Sequence, residues 1–185
     1  LETDSKRYYP YSALASHVIG FLDPDNRGAY GLEALYDEEL EGSAGLAVTA
    51  QDGRSSEIMF QYEQYYDAQD GHSLQLTLDS VIQSYVERGL EDMVAKYGAK
   101  NGATGIVMDP NTGGILAIAS SPTYDINDHH GIYDPLLQAE LAEVEEEKPP
   151  APGPEHSDAY WDALGLLQNR EWRNKAVTDT YAPGS

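Results

Sequence analysis

The chain has 185 residues, with 32 acids against 11 bases and a formal charge of -21. That balance argues against a nucleic-acid partner, which needs clustered Lys and Arg, and an anionic membrane surface would repel it. Zero Cys excludes disulfides, Cys–zinc sites and thiol catalysis.

Tyr11–Phe21 has helix-compatible spacing, with Leu14, Val18 and Phe21 on one face. Asp23-Pro24-Asp25-Asn26-Arg27-Gly28 is a dense turn cluster. Gly31–Leu40 reads as a short helix bounded by Gly42. Residues 46–66 alternate loosely around a hairpin-like Gln51-Asp52-Gly53-Arg54. Residues 1–72 are thus expected to be a loop-rich α+β region.

Ser73–Leu78 alternates, with Leu74, Leu76 and Leu78 on one face, and predicts a strand. Asp79 suits a helix N-cap, because its carboxylate can accept the first-turn N–H groups. Val81, Ile82, Tyr85, Val86, Leu90, Met93, Val94 and Tyr97 follow at helical spacing, with Gly98 as the stop. Thr104–Asp109 and Gly114–Ala119 flank Pro110-Asn111-Thr112-Gly113 and predict a hairpin. Both strands are apolar at nearly every position, which implies a sheet covered on both faces.

Residues 128–158 break the pattern, with 9 acids and 1 base. Leu136–Glu147 fits an acidic amphipathic helix, and Lys148–Pro154 an extended linker. Helical spacing returns over 159–169 through Tyr160, Leu164 and Leu167. No apolar run is long enough to span a bilayer, and Leu1–Pro10 lacks the apolar stretch of a signal peptide. The chain as given is expected to be soluble.

Chemical motifs are sparse. Asp23-x-Asp25-x-Arg27-Gly28 begins like a calcium loop, but Arg27 and Ala34 stand where ligands belong, so a polar turn is the better reading. His129-His130 lacks a third ligand at useful spacing and reads as a solvated loop pair. His17, His72 and His156 are isolated. Glu140–Glu147 is a charge run, which is usually a solvated face. No metal and no cofactor are expected. Taken alone, Ser185 is only a terminal serine, and no Gly-x-Ser-x-Gly elbow surrounds it.

Ordered strings carry more. They run Arg7-x-Tyr9-Pro10, Ala15-Ser16-His17-Val18-Ile19-Gly20, Gly28-x-x-Gly31-Leu32-Glu33 and Leu40-x-Gly42-x-x-Gly45. Leu76-Thr77-Leu78-Asp79-x-x-Ile82-Gln83, Gly105–Ala117 and Ser121-Pro122-Thr123-Tyr124-Asp125 follow. The last is Arg173-Asn174-Lys175-Ala176-Val177-Thr178-Asp179-Thr180-Tyr181-x-Pro183-Gly184-Ser185. In this order they closely resemble class B penicillin-binding proteins, nearest the division transpeptidases and the stage V sporulation protein D group.

The resemblance implies an α+β fold in partial domains. Residues 1–72 would belong to the pedestal, or dimerisation, domain, with Arg7, Tyr9, Pro10, Gly31 and Glu33 as a structural motif. Arg7 and Glu33 are candidates for an internal ion pair. Residues 73–127 would open the transpeptidase domain, 128–158 would be an acidic Pro-rich insertion, and 159–185 a helix leading to the nucleophile. Ser185 matches the acyl nucleophile of the family's Ser-x-x-Lys motif, whose Lys is not within this sequence. Ala182 departs from the Glu usual there.

The parent protein is therefore expected to be a D,D-transpeptidase that cross-links peptidoglycan stem peptides through a Ser acyl-enzyme and binds β-lactams, in division or sporulation. It would be extracytoplasmic and anchored to the bacterial cytoplasmic membrane by an N-terminal helix absent here. The 185 residues alone would be inactive. A competing reading is a non-catalytic interaction module that self-associates as a homodimer or binds a division or sporulation protein.

Overall fold

The computed structural model describes residues 7–43, 45–48, 64–150 and 155–180. In chain order these form α1 (Ser16–Ile19), α2 (Gly31–Leu35), α3 (Asp37–Glu41), β1 (Leu46–Val48) and β2 (Gln64–Tyr66). There follow α4 (Ser80–Tyr97), β3 (Ala103–Met108), β4 (Ile115–Ser121), α5 (Pro135–Glu147), α6 (Asp158–Trp172) and α7 (Lys175–Thr178). The fold is α+β, as expected. Contacts divide the chain into two units, Leu1–Leu35 with Leu76–Ser185, and Tyr36–Gln75.

In the larger unit, α4 lies on the β3–β4 hairpin. Asp79 caps α4 as predicted, accepting from the N–H groups of Val81 and Ile82 at 2.9 and 3.0 Å. Gly98 ends it in the left-handed region, with φ 62°. The hairpin turn is built by Asp109, whose carboxylate accepts from Asn111 N and Thr112 Oγ1 at 2.9 and 2.8 Å. Cross-strand partners share a face, so Gly105, Val107, Ala117 and Ala119 line one side. They are mostly small, and a Cβ on Gly105 would stand 3.2 Å from Val86 of α4. That lets the helix sit close. Gln83 fastens the layers, donating to Ile118 O and accepting from Ile118 N, both at 2.9 Å.

The opposite face corrects the expectation of a sheet covered on both sides. Ile106 and Met108 of β3 remain 51% and 55% exposed. Ser73–Leu78 is not a strand either. Thr77 Oγ1 and Asp79 N each donate one bond to β4, at Ile115 O and Leu116 O, without forming a ladder.

The expected helix over Tyr11–Phe21 shrinks to α1. Ser12 and Ala15 take φ 42° and 54°, which continuous helix forbids. Gly31–Leu40 forms two helices, broken at Tyr36. The core of the unit is aromatic. Phe21, Tyr124 and Ile126 are buried, with Tyr9, Tyr30, Tyr133 and Trp172 packed around them. A second cluster, Leu137, Leu141 and Leu167, joins α5 to α6. The acidic segment and the following helix therefore pack as a helical pair.

In the unit Tyr36–Gln75, β1 and β2 pair antiparallel, Leu46 opposite Tyr66. Ser43 and Gln69 exchange backbone bonds of 2.8 and 2.9 Å. The Gln51–Arg54 turn and most of the Lys148–Pro154 linker lie outside the described residues. Among the described residues, no helix is long and apolar enough to cross a membrane.

Candidate functional site

Ser185 and Ala182 lie outside the described residues, which reach Thr180. The described residues include the segment that leads in sequence to Ser185 and the groups that hold it. Asn174 caps α7, its side chain accepting from Ala176 N at 3.2 Å. Arg173 and Asp179 flank the helix and pair across it at 2.9 Å. Both ends of a one-turn helix, too short to persist on its own, are thereby tied together.

Beneath this segment lies a buried polar hub. Glu171, 2% exposed, sits in the last turn of α6. Its Oε1 accepts from the N–H groups of both Tyr133 and Asp134 at 2.6 Å. Asp134 in turn caps α5 through Leu136 N at 2.9 Å, and its other oxygen stands 3.8 Å from Lys175 Nζ of α7. Two carboxylates, Glu171 and Asp134, thus link the entry to α5, the end of α6 and the start of α7. Burial pushes the Glu171 carboxyl above the usual range, against the pull of its two amide donors.

His17 approaches from α1, with Nε2 3.1 Å from the carbonyl oxygen of Glu171. A carbonyl only accepts, so Nε2 carries the proton and Nδ1 is left to accept from Ser16 Oγ at 3.4 Å. Burial lowers the imidazole pKa to about 4, which keeps the ring neutral. Tyr124 completes the hub, donating to Ser16 O at 3.0 Å and meeting the His17 ring edge-on. Both His17 nitrogens are engaged, so this histidine positions backbone and is no general base.

The structure brings together Arg7, Tyr9 and Glu33 of the sequence-derived motif. Arg7 Nη2 lies 3.1 Å from Glu33 Oε2, and Tyr9 OH donates to Glu33 Oε1 at 3.2 Å. Burial, then the Glu33 charge, raises the Tyr9 hydroxyl well above its ordinary value. Pro10 is exposed at the head of the turns preceding α1. Gly31 has φ 63°, and a Cβ there would meet Val18 O at 2.6 Å and Gly20 N at 2.7 Å. Only glycine fits where α1 and α2 approach this closely.

The Asp23 carboxylate closes its own turn, accepting from Asp25 N and Arg27 N at 2.9 Å. His130 is exposed, but His129 is not the solvated partner expected. It stacks on Phe21 at 3.8 Å, because Nδ1 is satisfied locally by the Ile126 carbonyl. No group of three or more potential metal ligands occurs among the described residues. Sequence reasoning missed His17 and Glu171. Nothing local marks a contact between residues 154 positions apart.

A cleft of about 480 Å³ adjoins the Arg173–Thr180 segment, with Lys100, Arg170, Arg173 and Lys175 facing Asp134, Glu140 and Asp179. It is electrostatically mixed, with cations and carboxylates alternating among its described lining residues. The described part of the site therefore positions the segment before Ser185.

Two family models match the chain. The dimerisation domain of penicillin-binding proteins matches residues 1–76, and their transpeptidase domain residues 103–185. The chain is 37% identical over 134 residues to stage V sporulation protein D of Bacillus subtilis, covering 72% of this chain and 20% of that protein. It is 36% identical over 133 residues to the peptidoglycan D,D-transpeptidase FtsI of Escherichia coli, covering 71% and 22%. A crystal structure of a peptidoglycan synthetase from Bifidobacterium adolescentis is similar at 33% identity and TM-score 0.57, covering 65% of this chain and 22% of that one. The chain thus spans about a fifth of the length of these relatives.

Proposed function

From the premise that the chain belongs to the class B penicillin-binding proteins, we propose that it is part of a peptidoglycan D,D-transpeptidase whose nucleophile is Ser185. Residues 1–72 are assigned to the dimerisation domain, 73–127 to the opening of the transpeptidase domain, 128–158 to an acidic insertion and 159–185 to the approach to the nucleophile. The match of residues 103–185 to the transpeptidase model carries this reading, together with the string Arg173–Ser185.

In the reaction, Ser185 Oγ attacks the penultimate D-Ala carbonyl of a stem peptide. The peptide C–N bond breaks, terminal D-Ala leaves with a proton on its amine, and an ester remains on the serine. An amine of a neighbouring stem attacks that ester, the cross-link forms and the serine is regenerated. β-Lactams acylate the same oxygen. A serine hydroxyl needs a base to take its proton and donors for the developing oxyanion. This sequence holds neither the motif's Lys nor an identified oxyanion donor, so the 185 residues alone are expected to be inactive. The parent protein is placed outside the cytoplasm, on a membrane anchor.

The contribution read from this chain is positional. Glu171, Asp134, Lys175 and the Arg173–Asp179 pair fix the backbone as far as Asp179, in the string that leads in sequence to Ser185. The test is release of D-Ala from a stem pentapeptide by the whole protein and its Ser185→Ala variant. The proposal expects release by the first and none by the second. Equal release by both would overturn it.

A second reading rests on the open face of β3. Ile106 and Met108 leave an exposed apolar strip that suits self-association. Light scattering of the chain and of its Ile106→Ser, Met108→Ser variant separates the two: a dimer dissolved by the substitutions supports association there, and an unchanged mass removes it.

A further inference from the structure

A groove of about 510 Å³ runs between α5 and α6, away from the hub around Glu171. Ile132, Leu141, Leu164 and Tyr160 form its apolar wall, and Glu145 and Glu146 stand at its rim. Glu145 is held in place by His156, whose Nδ1 lies 3.3 Å from Oε2. Its other oxygen, Oε1, is buried and has no hydrogen-bond partner among the described residues. The neighbouring Glu146 is exposed and keeps its carboxylate available at the rim. His156 also stacks on Tyr160 at 3.9 Å and meets Trp161 edge-on at 5.5 Å. Trp161 is largely exposed, so an aromatic surface continues the groove outward.

From these observations we infer that the α5–α6 groove docks a basic amphipathic peptide segment of a partner protein. The apolar wall takes one face of such a segment and the acidic rim takes its Lys or Arg side chains, the helix-in-groove mode of recognition. Charge complementarity selects this occupant. Residues 128–158 carry 9 acids against 1 base, so the groove sits in a negative field that draws cations and repels anionic surfaces. In this groove a second copy is disfavoured, because its own acidic segment 128–158 would meet the acidic rim.

The probe is a synthetic Leu/Lys peptide with helical amphipathic spacing, set against a scrambled peptide of the same composition. Binding to the 185-residue chain is followed by the fluorescence of Trp161, with a Trp161→Phe control to assign the signal. The amphipathic peptide should bind at least about tenfold more tightly than the scrambled one. Ala142→Arg puts a cation into the groove at an exposed helix position, and Glu145→Gln with Glu146→Gln removes the rim charge. Each should weaken binding by about tenfold, with the fold checked by circular dichroism. Glu38→Gln with Glu39→Gln in α3 should leave it unchanged. Equal affinity for the two peptides would reduce the effect to bulk attraction and overturn the inference. So would binding indifferent to Ala142→Arg, or an Ala142-sensitive dimer in place of peptide binding.

Discussion

The two ends of α6 obey different physics. At its start, Ser157 caps the helix through Tyr160 N at 3.1 Å, and Trp161 faces outward. At its end, Glu171 is buried and tied to α1, to the loop before α5 and, through Asp134, to α7. The first end is made by neighbours in sequence, the second by residues 37 to 154 positions away. Local capping gives a helix, whereas the long-range carboxylate gives that helix a fixed place under the segment leading to Ser185.

The strongest way to break this contrast is Glu171→Ala. One buried and one part-buried N–H group would lose their described acceptor, and unfolding should become easier by about 2–4 kcal/mol. Glu171→Gln keeps an acceptor oxygen and should cost less. Urea midpoints for the two variants check the order, and a loss for Glu171→Ala no larger than that for a surface substitution would remove the distinction.

Acidification probes the same end through His17. Its folded pKa, about 4, lies below the ordinary 6.5. Between those values the unfolded chain binds more protons, so stability falls as pH drops from 6.5 to 4. The full span is worth about 3 kcal/mol. Glu171 and Glu87 work in the opposite sense, since burial raises both. Their folded states take up protons first, and stability rises as pH falls towards 4.5 through their raised pKa values. His17→Gln should therefore flatten the acid loss or reverse its sign. A slope unchanged by that substitution would mean that another group carries it.

Effects at the start of α6 should be smaller. Ser157→Ala removes one cap and should cost about 1 kcal/mol, read as a modest fall in melting temperature. At the far end, Arg170 is in the last turn of α6 but on its exposed side, so Arg170→Ala should fall within about 0.5 kcal/mol, because its pair with Glu140 is half-exposed on both sides. Salt should abolish what little it contributes.

The same division explains what the sequence made legible. The Asp79 cap, the Gly98 stop, the Pro110–Gly113 turn and the acidic helix α5 rest on neighbours within a few positions, and each is legible in the sequence. Arg7 and Glu33, opposite charges in two of the ordered strings, are candidates for an ion pair from the sequence, and they meet at 3.1 Å. The failures share one cause. Ser12 and Ala15 adopt positive φ because tertiary contacts hold them there. Leu74 and Leu76 alternate as a strand should, yet Ser73–Leu78 makes no ladder with a neighbour. His17 looked idle because its partner arrives from the far end of the chain. The role proposed for Ser185 rests on the family match and the string before it.

The central claim, that Ser185 is the acylated residue of a transpeptidase, is tested most directly by mapping a labelled penicillin adduct by mass spectrometry. On the whole protein the adduct is predicted on Ser185, with no label on the 185-residue chain alone. An adduct on any other residue of the whole protein, or on Ser185 of the isolated chain, would contradict the account.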